Sequence, residues 1–234
     1  MKTVLITGGS RGIGFDIAQK FFDEGYEVIC LSRSASSEKK NWQYINCDIR
    51  EKAEIESLGK MLQSSLKKVQ VVVNNAGIAG KNSLDSDDSD ELWYDIIATN
   101  LHGPYHVCKT LIPLMPEGGS IINITSVLAH TGVADQTAYC AAKHGLLGFT
   151  KALAKNLAHK NITVNAIAPG WVETRMAEQR MEELNLSKAD LCSMVPLRRF
   201  IAGSEIAAMA YYLAGSQARG ITGQSFVVDG GFLS

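Results

Sequence analysis

Lys2-Thr-Val-Leu-Ile-Thr-Gly-Gly-Ser-Arg-Gly-Ile-Gly14 carries a short apolar, β-branched segment straight into a cluster of glycines, and a segment of helical period follows from about Ile13 to Glu24. Thr3 to Thr7 reads as a strand, the glycines as its turn and the sequel as a helix for which Gly25 is the stop signal. The same alternation recurs along the chain. Further strands are expected at Glu27 to Ser32, Trp42 to Asn46, Val69 to Asn74, Ser120 to Ile124, Ile162 to Ala168 and Ser225 to Val228. Helices are expected from about Glu51 to Ser64, Asp90 to Leu114, Gln136 to Ala158 and Ser204 to Leu213.

Most of these strands are near-continuous apolar runs, as strands become when helices cover both faces of a parallel sheet. The fold expected is therefore α/β, with a single Rossmann-like, doubly wound domain over residues 1–234, built on a seven-stranded parallel sheet with helices on both faces. The segment from Trp171 to Arg199 breaks the alternation, carries Met176, Met181 and Met194 among charges, and reads as a small helical substrate lid. The acidic run from Asp85 to Glu91 reads as a solvated loop whose last acids favour the N-terminus of the next helix.

The chain has 234 residues, 46% of them hydrophobic and 20% charged, enough to bury one full core. Its formal net charge is -1, from 23 basic and 24 acidic residues, so no overall field holds it on nucleic acid or an anionic membrane. Five cysteines, at positions 30, 47, 108, 140 and 192, form no CxxC pair and no metal-ligand spacing; free thiols in a reducing compartment and no metal are expected. The apolar N-terminal run is too short for a signal peptide or membrane span, which favours the cytoplasm.

Glycines between a strand and a helix let the backbone approach a pyrophosphate while the helix amides point at the anion. Gly8, Ser10, Arg11, Gly12, Ile13 and Gly14 are therefore candidate cofactor residues, although their spacing, G-x-x-x-G-x-G, departs from the usual dinucleotide fingerprint. Sites that take NAD commonly end the second strand in an acid, which repels a 2′-phosphate. Here that position reads Leu31-Ser-Arg33; Ser32, Arg33 and Arg11 suit the phosphate of NADPH/NADP instead. Asp48, followed by Ile49 beyond the third strand, is placed to meet the adenine amino group. Asn74-Asn-Ala-Gly77 ends another strand, where Asn74, Ala76 and Gly77 allow a cofactor to lie close.

Tyr139 and Lys143 lie four residues apart in a helical segment, which puts phenol and ammonium on one face. A nearby ammonium favours phenolate and is expected to move the tyrosine toward the working range of a proton donor. Ser126 follows a strand end, where its hydroxyl can hold a carbonyl oxygen beside Tyr139. Asn100 falls inside a long helix, where a buried amide is expected to kink the backbone and hold a water that relays protons to Lys143.

With these residues in order, the chain resembles the short-chain dehydrogenase/reductase family over essentially its whole length. The matches are Thr7 to Gly14, Asp48, Asn74 to Gly77, Asn100, Ser126, Tyr139 with Lys143, and Pro169-Gly-Trp-Val-Glu-Thr174. The resemblance implies that Asn100, Ser126, Tyr139 and Lys143 form a catalytic tetrad and that Lys143 also holds the nicotinamide ribose. It further implies that Pro169, Gly170, Val172 and Thr174 hold the carboxamide end of the cofactor. A homotetramer is implied as well, with the Asn100 and Tyr139 helices packed against a partner subunit.

Within the family, the glycine loop, Val195-Pro-Leu-Arg-Arg-Phe200 and Ile221-Thr-Gly-Gln-Ser-Phe-Val-Val-Asp-Gly-Gly231 are most similar to 3-oxoacyl-(acyl-carrier-protein) reductases, with acetoacetyl-CoA reductases also similar. That resemblance implies NADPH-dependent reduction of a 3-oxoacyl thioester, as in fatty-acid synthesis, with acyl carrier protein as a partner. Lys155 and Lys160 suit an acidic carrier. A second basic position expected before Ser120 reads instead Met115-Pro-Glu-Gly-Gly119, and Glu117 leaves open a CoA ester, another small ketone or a quinone. An alternative from another class is a catalytically silent, cofactor-binding regulator.

Overall fold

A computed structural model describes residues 1–34, 41–65, 67–84 and 90–234. Among them seven strands form one parallel sheet: β1 (Thr3–Thr7), β2 (Glu27–Ser32), β3 (Gln43–Asn46), β4 (Val71–Asn74), β5 (Ser120–Ile124), β6 (Thr163–Pro169) and β7 (Ser225–Val228). All seven lie within two residues of the boundaries read from sequence. Their order is β3-β2-β1-β4-β5-β6-β7, so the chain winds outward from β1 in one direction, returns, and winds outward from β4 in the other. The crevice where the winding reverses, beyond the carboxyl ends of β1 and β4, is where an open α/β sheet binds its ligand.

Side-chain alternation along the strands builds two cores. Val4, Ile6, Val71, Val73 and Ile122 face α1 (Gly12–Asp23) and α8 (Gly203–Ala214), burying Ile17, Phe21, Ile206 and Leu213. Leu5, Ile29, Leu31, Val72, Ile121 and Val164 face the opposite layer, α2 (Lys52–Ser64), α4 (Gly103–Leu111) and α5 (Thr137–Leu157). Each such side chain contributes about 1.5–3 kcal/mol on burial. Every residue of β1, β4, β5 and β6 is buried, which is why these strands read as unbroken apolar runs.

Gly25 stops α1 as expected: at φ 78° it donates to Phe22 O at 3.0 Å, and Tyr26 N donates to Phe21 O at 3.0 Å, the paired bonds of a Schellman motif. The helix expected from Asp90 to Leu114 is instead four pieces: α3 (Asp90–Ile97), a π turn (Ala98–His102), α4 and a 3-10 turn (Ile112–Leu114). Proline explains the break, because Pro104 has no N–H to give the Asn100 carbonyl four residues back. The last two acids of the acidic run, Asp90 and Glu91, occupy the first turn of α3, and residues 85–89 lie outside the described residues. All five cysteines are free, with Cys30, Cys47 and Cys108 buried. No helix among the described residues is long and apolar enough to cross a membrane.

Candidate active site

The loop after β1 is shaped by positions that exclude side chains. Gly8 and Gly12 adopt φ 68° and 54°, and a Cβ on Gly14 would lie 2.3 Å from Gly8 O. Asn75 braces the turn by donating from Nδ2 to Thr7 O at 3.0 Å and Gly8 O at 3.2 Å, while Thr7 Oγ1 accepts from the amides of Asn75 and Ala76, each at 3.0 Å. The ends of β1 and β4 are thereby locked together, with Ala76 against Gly8. Arg11 is exposed at the N-cap of α1, and Ile13 packs onto the core beneath it.

Ser32 ends β2 beside this loop, its hydroxyl donating to Ser10 Oγ at 3.0 Å. Arg33, next along, extends into solvent with its guanidinium 4.0 Å from Asp48 Oδ2. The Asp48 carboxylate is also gripped by Arg50. Arg50 Nε lies 3.1 and 3.0 Å from its two oxygens and Arg50 Nη2 2.8 Å from Oδ2, and these bonds hold its pKa down against the effect of burial. Ile49, the neighbouring candidate, is 5% exposed and packs its side chain against Gly103.

Four side chains gather at the switch point, all nearly removed from solvent: Asn100 is 0% exposed, Lys143 4%, and Ser126 and Tyr139 9% each. Ser126 follows β5 and caps a 3-10 turn (Val127–Ala129), its Oγ accepting from Leu128 N at 3.1 Å. Lys143 donates to Ile124 O at 2.9 Å and lies over the Tyr139 ring, 5.4 Å from its centroid. A Cβ on Gly77 would crowd Asn100 Oδ1 at 3.2 Å and touch Lys143 Nζ at 3.7 Å, which places Gly77 beside both groups.

Burial, more than the neighbouring ammonium, governs the tyrosine. It pushes the Tyr139 phenol up to about 12, with the Ser126 hydrogen bond pulling the other way. It also brings Lys143 down to about 8, since a charge stripped of water is disfavoured. The expectation that Lys143 lowers the phenol is therefore corrected: burial raises it, and Ser126, not Lys143, is the group that opposes the rise. Asn100 is corrected in part. Its turn does distort the helix, but its amide is spent on the β4 loop, accepting from Ile78 N at 2.9 Å and donating to Ile78 O at 2.8 Å. Pro104 removes the α-helical donor to the Asn100 backbone carbonyl, and that proline was its signal in the sequence.

Asn74 also turns inward, donating to Asn123 Oδ1 at 2.8 Å; Asn123 donates to Thr150 Oγ1 at 2.8 Å. This buried chain ties β4 and β5 to the helix that carries Tyr139 and Lys143. Pro169 ends β6, and Gly170 approaches Asp229 so closely that a Cβ would sit 2.8 Å from that residue's own. Val172 bridges Ile201 and closes the base of the lid, which comprises α6 (Arg175–Leu184) and α7 (Lys188–Met194). Thr174 caps α6 and stands 3.3 Å from where a Gly12 Cβ would be, so the carboxamide segment and the glycine loop meet. Sequence reasoning missed Asn75, Thr7 and Arg50; Asn75 lay inside a quoted motif, but the direction of its side chain is set by the pleat of β4.

The family model described as enoyl-(acyl carrier protein) reductase matches residues 8–233. The chain is 38% identical over 239 residues to a 3-oxoacyl-(acyl-carrier-protein) reductase of Haemophilus influenzae, covering 98% of this chain and 97% of that protein. Ligand-free aldohexose dehydrogenase from Thermoplasma acidophilum superposes with a TM-score of 0.93 at 32% identity, over 99% of this chain and 94% of that one. An actinorhodin polyketide ketoreductase variant solved with NADPH superposes with a TM-score of 0.92 at 35% identity, over 99% and 97%. Matched along its length by family model, sequence and fold, with the tyrosine, lysine, serine and asparagine of its motifs gathered at one switch point, the chain belongs to the short-chain dehydrogenase/reductase family.

Proposed function

We propose that this chain reduces a 3-oxoacyl thioester, linked to carrier protein or CoA, to the 3-hydroxyacyl form with NADPH, as in fatty-acid synthesis. The observation that carries the reading is the buried convergence of Tyr139, Ser126 and Lys143 beside the glycine-lined crevice. The crevice suits a dinucleotide: Gly8 and Gly12, at φ 68° and 54°, and Gly14, packed on Gly8 O, let the loop turn tightly enough to present the N-terminus of α1 to a pyrophosphate. Gly8 to Gly14 would hold the pyrophosphate, Ser10, Arg11, Ser32 and Arg33 the 2′-phosphate, and Pro169 to Thr174 the carboxamide end.

NADPH, when bound, supplies the hydride for the carbonyl carbon. Tyr139, its phenol pushed up to about 12 by burial, keeps its proton at neutral pH and gives it to the carbonyl oxygen. Ser126 Oγ accepts from Leu128 N and is hydrogen-bonded to Tyr139, which sets its hydroxyl beside the phenol to orient that oxygen. Lys143 returns a proton to the tyrosine, and the Asn100 carbonyl, short of a helical donor at Pro104, is a station for the water that resupplies it.

A second reading, reduction of a smaller ketone or a quinone, is favoured by Glu117. Its carboxylate accepts from Asn161 Nδ2 at 2.6 Å, immediately beside Lys160, and so places negative charge where an acidic carrier would dock. Loss of NADPH absorbance with acetoacetyl-CoA, acetoacetyl carrier protein and a panel of ketones and quinones separates the readings. Fastest turnover on a thioester is expected; turnover on ketones or quinones alone selects the second reading. Binding of NADPH with no substrate reduced would overturn both in favour of a silent regulator.

A further inference from the structure

Beyond the carboxyl ends of β2 and β3 the charged side chains form a connected series. Ser32 pairs with Asn46 in the sheet, and Cys47 N donates to Ser32 O at 3.1 Å, so Asp48 emerges directly alongside Arg33. Arg33 lies 4.0 Å from Asp48 Oδ2, Arg50 grips Asp48 through Nε and Nη2, and Arg50 Nη1 reaches Asp95 on α3 at 2.8 Å. The near end of this series is the Ser10–Ser32 hydroxyl pair at the glycine loop. An acid at this edge has a definite consequence for a phosphorylated adenosine. The carboxylate repels the phosphate, which carries about -1.5 to -2 charge at neutral pH, and competes with it for Arg33.

We propose that Arg50 is a specificity-determining residue for the phosphorylated cofactor: by neutralising Asp48 it keeps Arg33 available to the 2′-phosphate, without itself touching that phosphate. The inference rests on the NADPH reading above. The grip is two-pronged and planar, a geometry that a guanidinium supplies and an ammonium does not. With Arg50 present the two guanidinium groups balance the carboxylates of Asp48 and Asp95; without it the same positions carry an excess negative charge facing the phosphate. Asp48 would then draw Arg33 wholly to itself. NADH, which lacks the phosphate, is indifferent to this competition.

Direct binding tests the proposal without recourse to turnover. Dissociation constants for NADPH and NADH are measured by calorimetry on wild type, Arg50→Gln, Arg50→Lys and the double variant Asp48→Asn with Arg50→Gln. Wild type should prefer NADPH. Arg50→Gln should weaken NADPH about tenfold while NADH stays within about twofold, which also shows that the variant is folded. Arg50→Lys should fall between, and the double variant should recover the wild-type ratio because the charge to be neutralised is gone. Equal weakening of both cofactors in Arg50→Gln, an unchanged ratio, or no recovery in the double variant would overturn the role of Arg50 while leaving the NADPH reading intact. A wild type that prefers NADH would overturn the NADPH reading and the inference together.

Discussion

Lys143 is a basic group held where water barely reaches it, and that has a price in stability set by its shifted ionisation. Its folded value of about 8 lies below the ordinary 10.5, so between those values the unfolded chain binds more protons than the folded one. Stability attributable to this group therefore rises with pH across that window and is lowest below about pH 8. Keeping the ammonium charged at neutral pH costs on the order of 3 kcal/mol, offset in part by its bond to Ile124 O. Lys143→Met should accordingly raise the melting temperature of the cofactor-free protein at pH 7 while abolishing turnover. The gain should fade as pH climbs through the window. A melting temperature lowered at pH 7, or a gain constant with pH, would show that the lysine stabilises the fold and is not strained by burial. Tyr139 works in the opposite sense, since a phenol held above its ordinary 10.0 makes the fold lose stability as pH rises from 10 to about 12.

At the scale of elements, the lid combines a small apolar cluster of Ala177, Leu191 and Phe200 with ion pairs within it and to its surroundings. Arg180 on α6 makes a two-pronged bond to Asp135, at 2.7 and 3.0 Å, in the loop that leads into the helix of Tyr139 and Lys143. Lys188 on α7 is paired with Glu173 at 2.5 Å, and Arg199 with Glu205 at 2.6 Å. Charge-assisted bonds of the Arg180 kind contribute about 1.5–3 kcal/mol. Arg180→Gln should raise KM for the carbonyl substrate several-fold and leave the dissociation constant for NADPH unchanged, as steady-state kinetics and a binding titration would show. Equal effects on both would mean that the pair supports the whole domain. The lid was legible as a departure from the βα rhythm, and its helices from its composition. Its fastening was not, because Arg180 and Asp135 are 45 residues apart and pair only once the sheet has brought α6 over the loop. The broken helix at Asn100 was legible to the extent that a buried amide was suspected. Where its side-chain amide goes depended on Ile78, a contact that sequence spacing does not reveal.

For the whole molecule, hydrophobic periodicity carried nearly everything, since two cores on opposite faces of one sheet demand near-continuous apolar strands and amphipathic helices between them. The switch point lies at the carboxyl ends of the strands, which is why the glycine loop, Ala76, Gly77, Ser126 and Lys143 were expected at one edge and meet there. What sequence could not give is direction within the pleat: Asn74 and Ile49 face inward while their neighbours Asn75 and Asp48 face the crevice edge. Carbonyl reduction at this site turns on a single proton. If Tyr139 supplies it, Tyr139→Phe should lower kcat for the best substrate by about 10²–10⁴-fold, with the dissociation constant for NADPH within about twofold of wild type. Turnover near the wild-type rate in that variant would contradict the account.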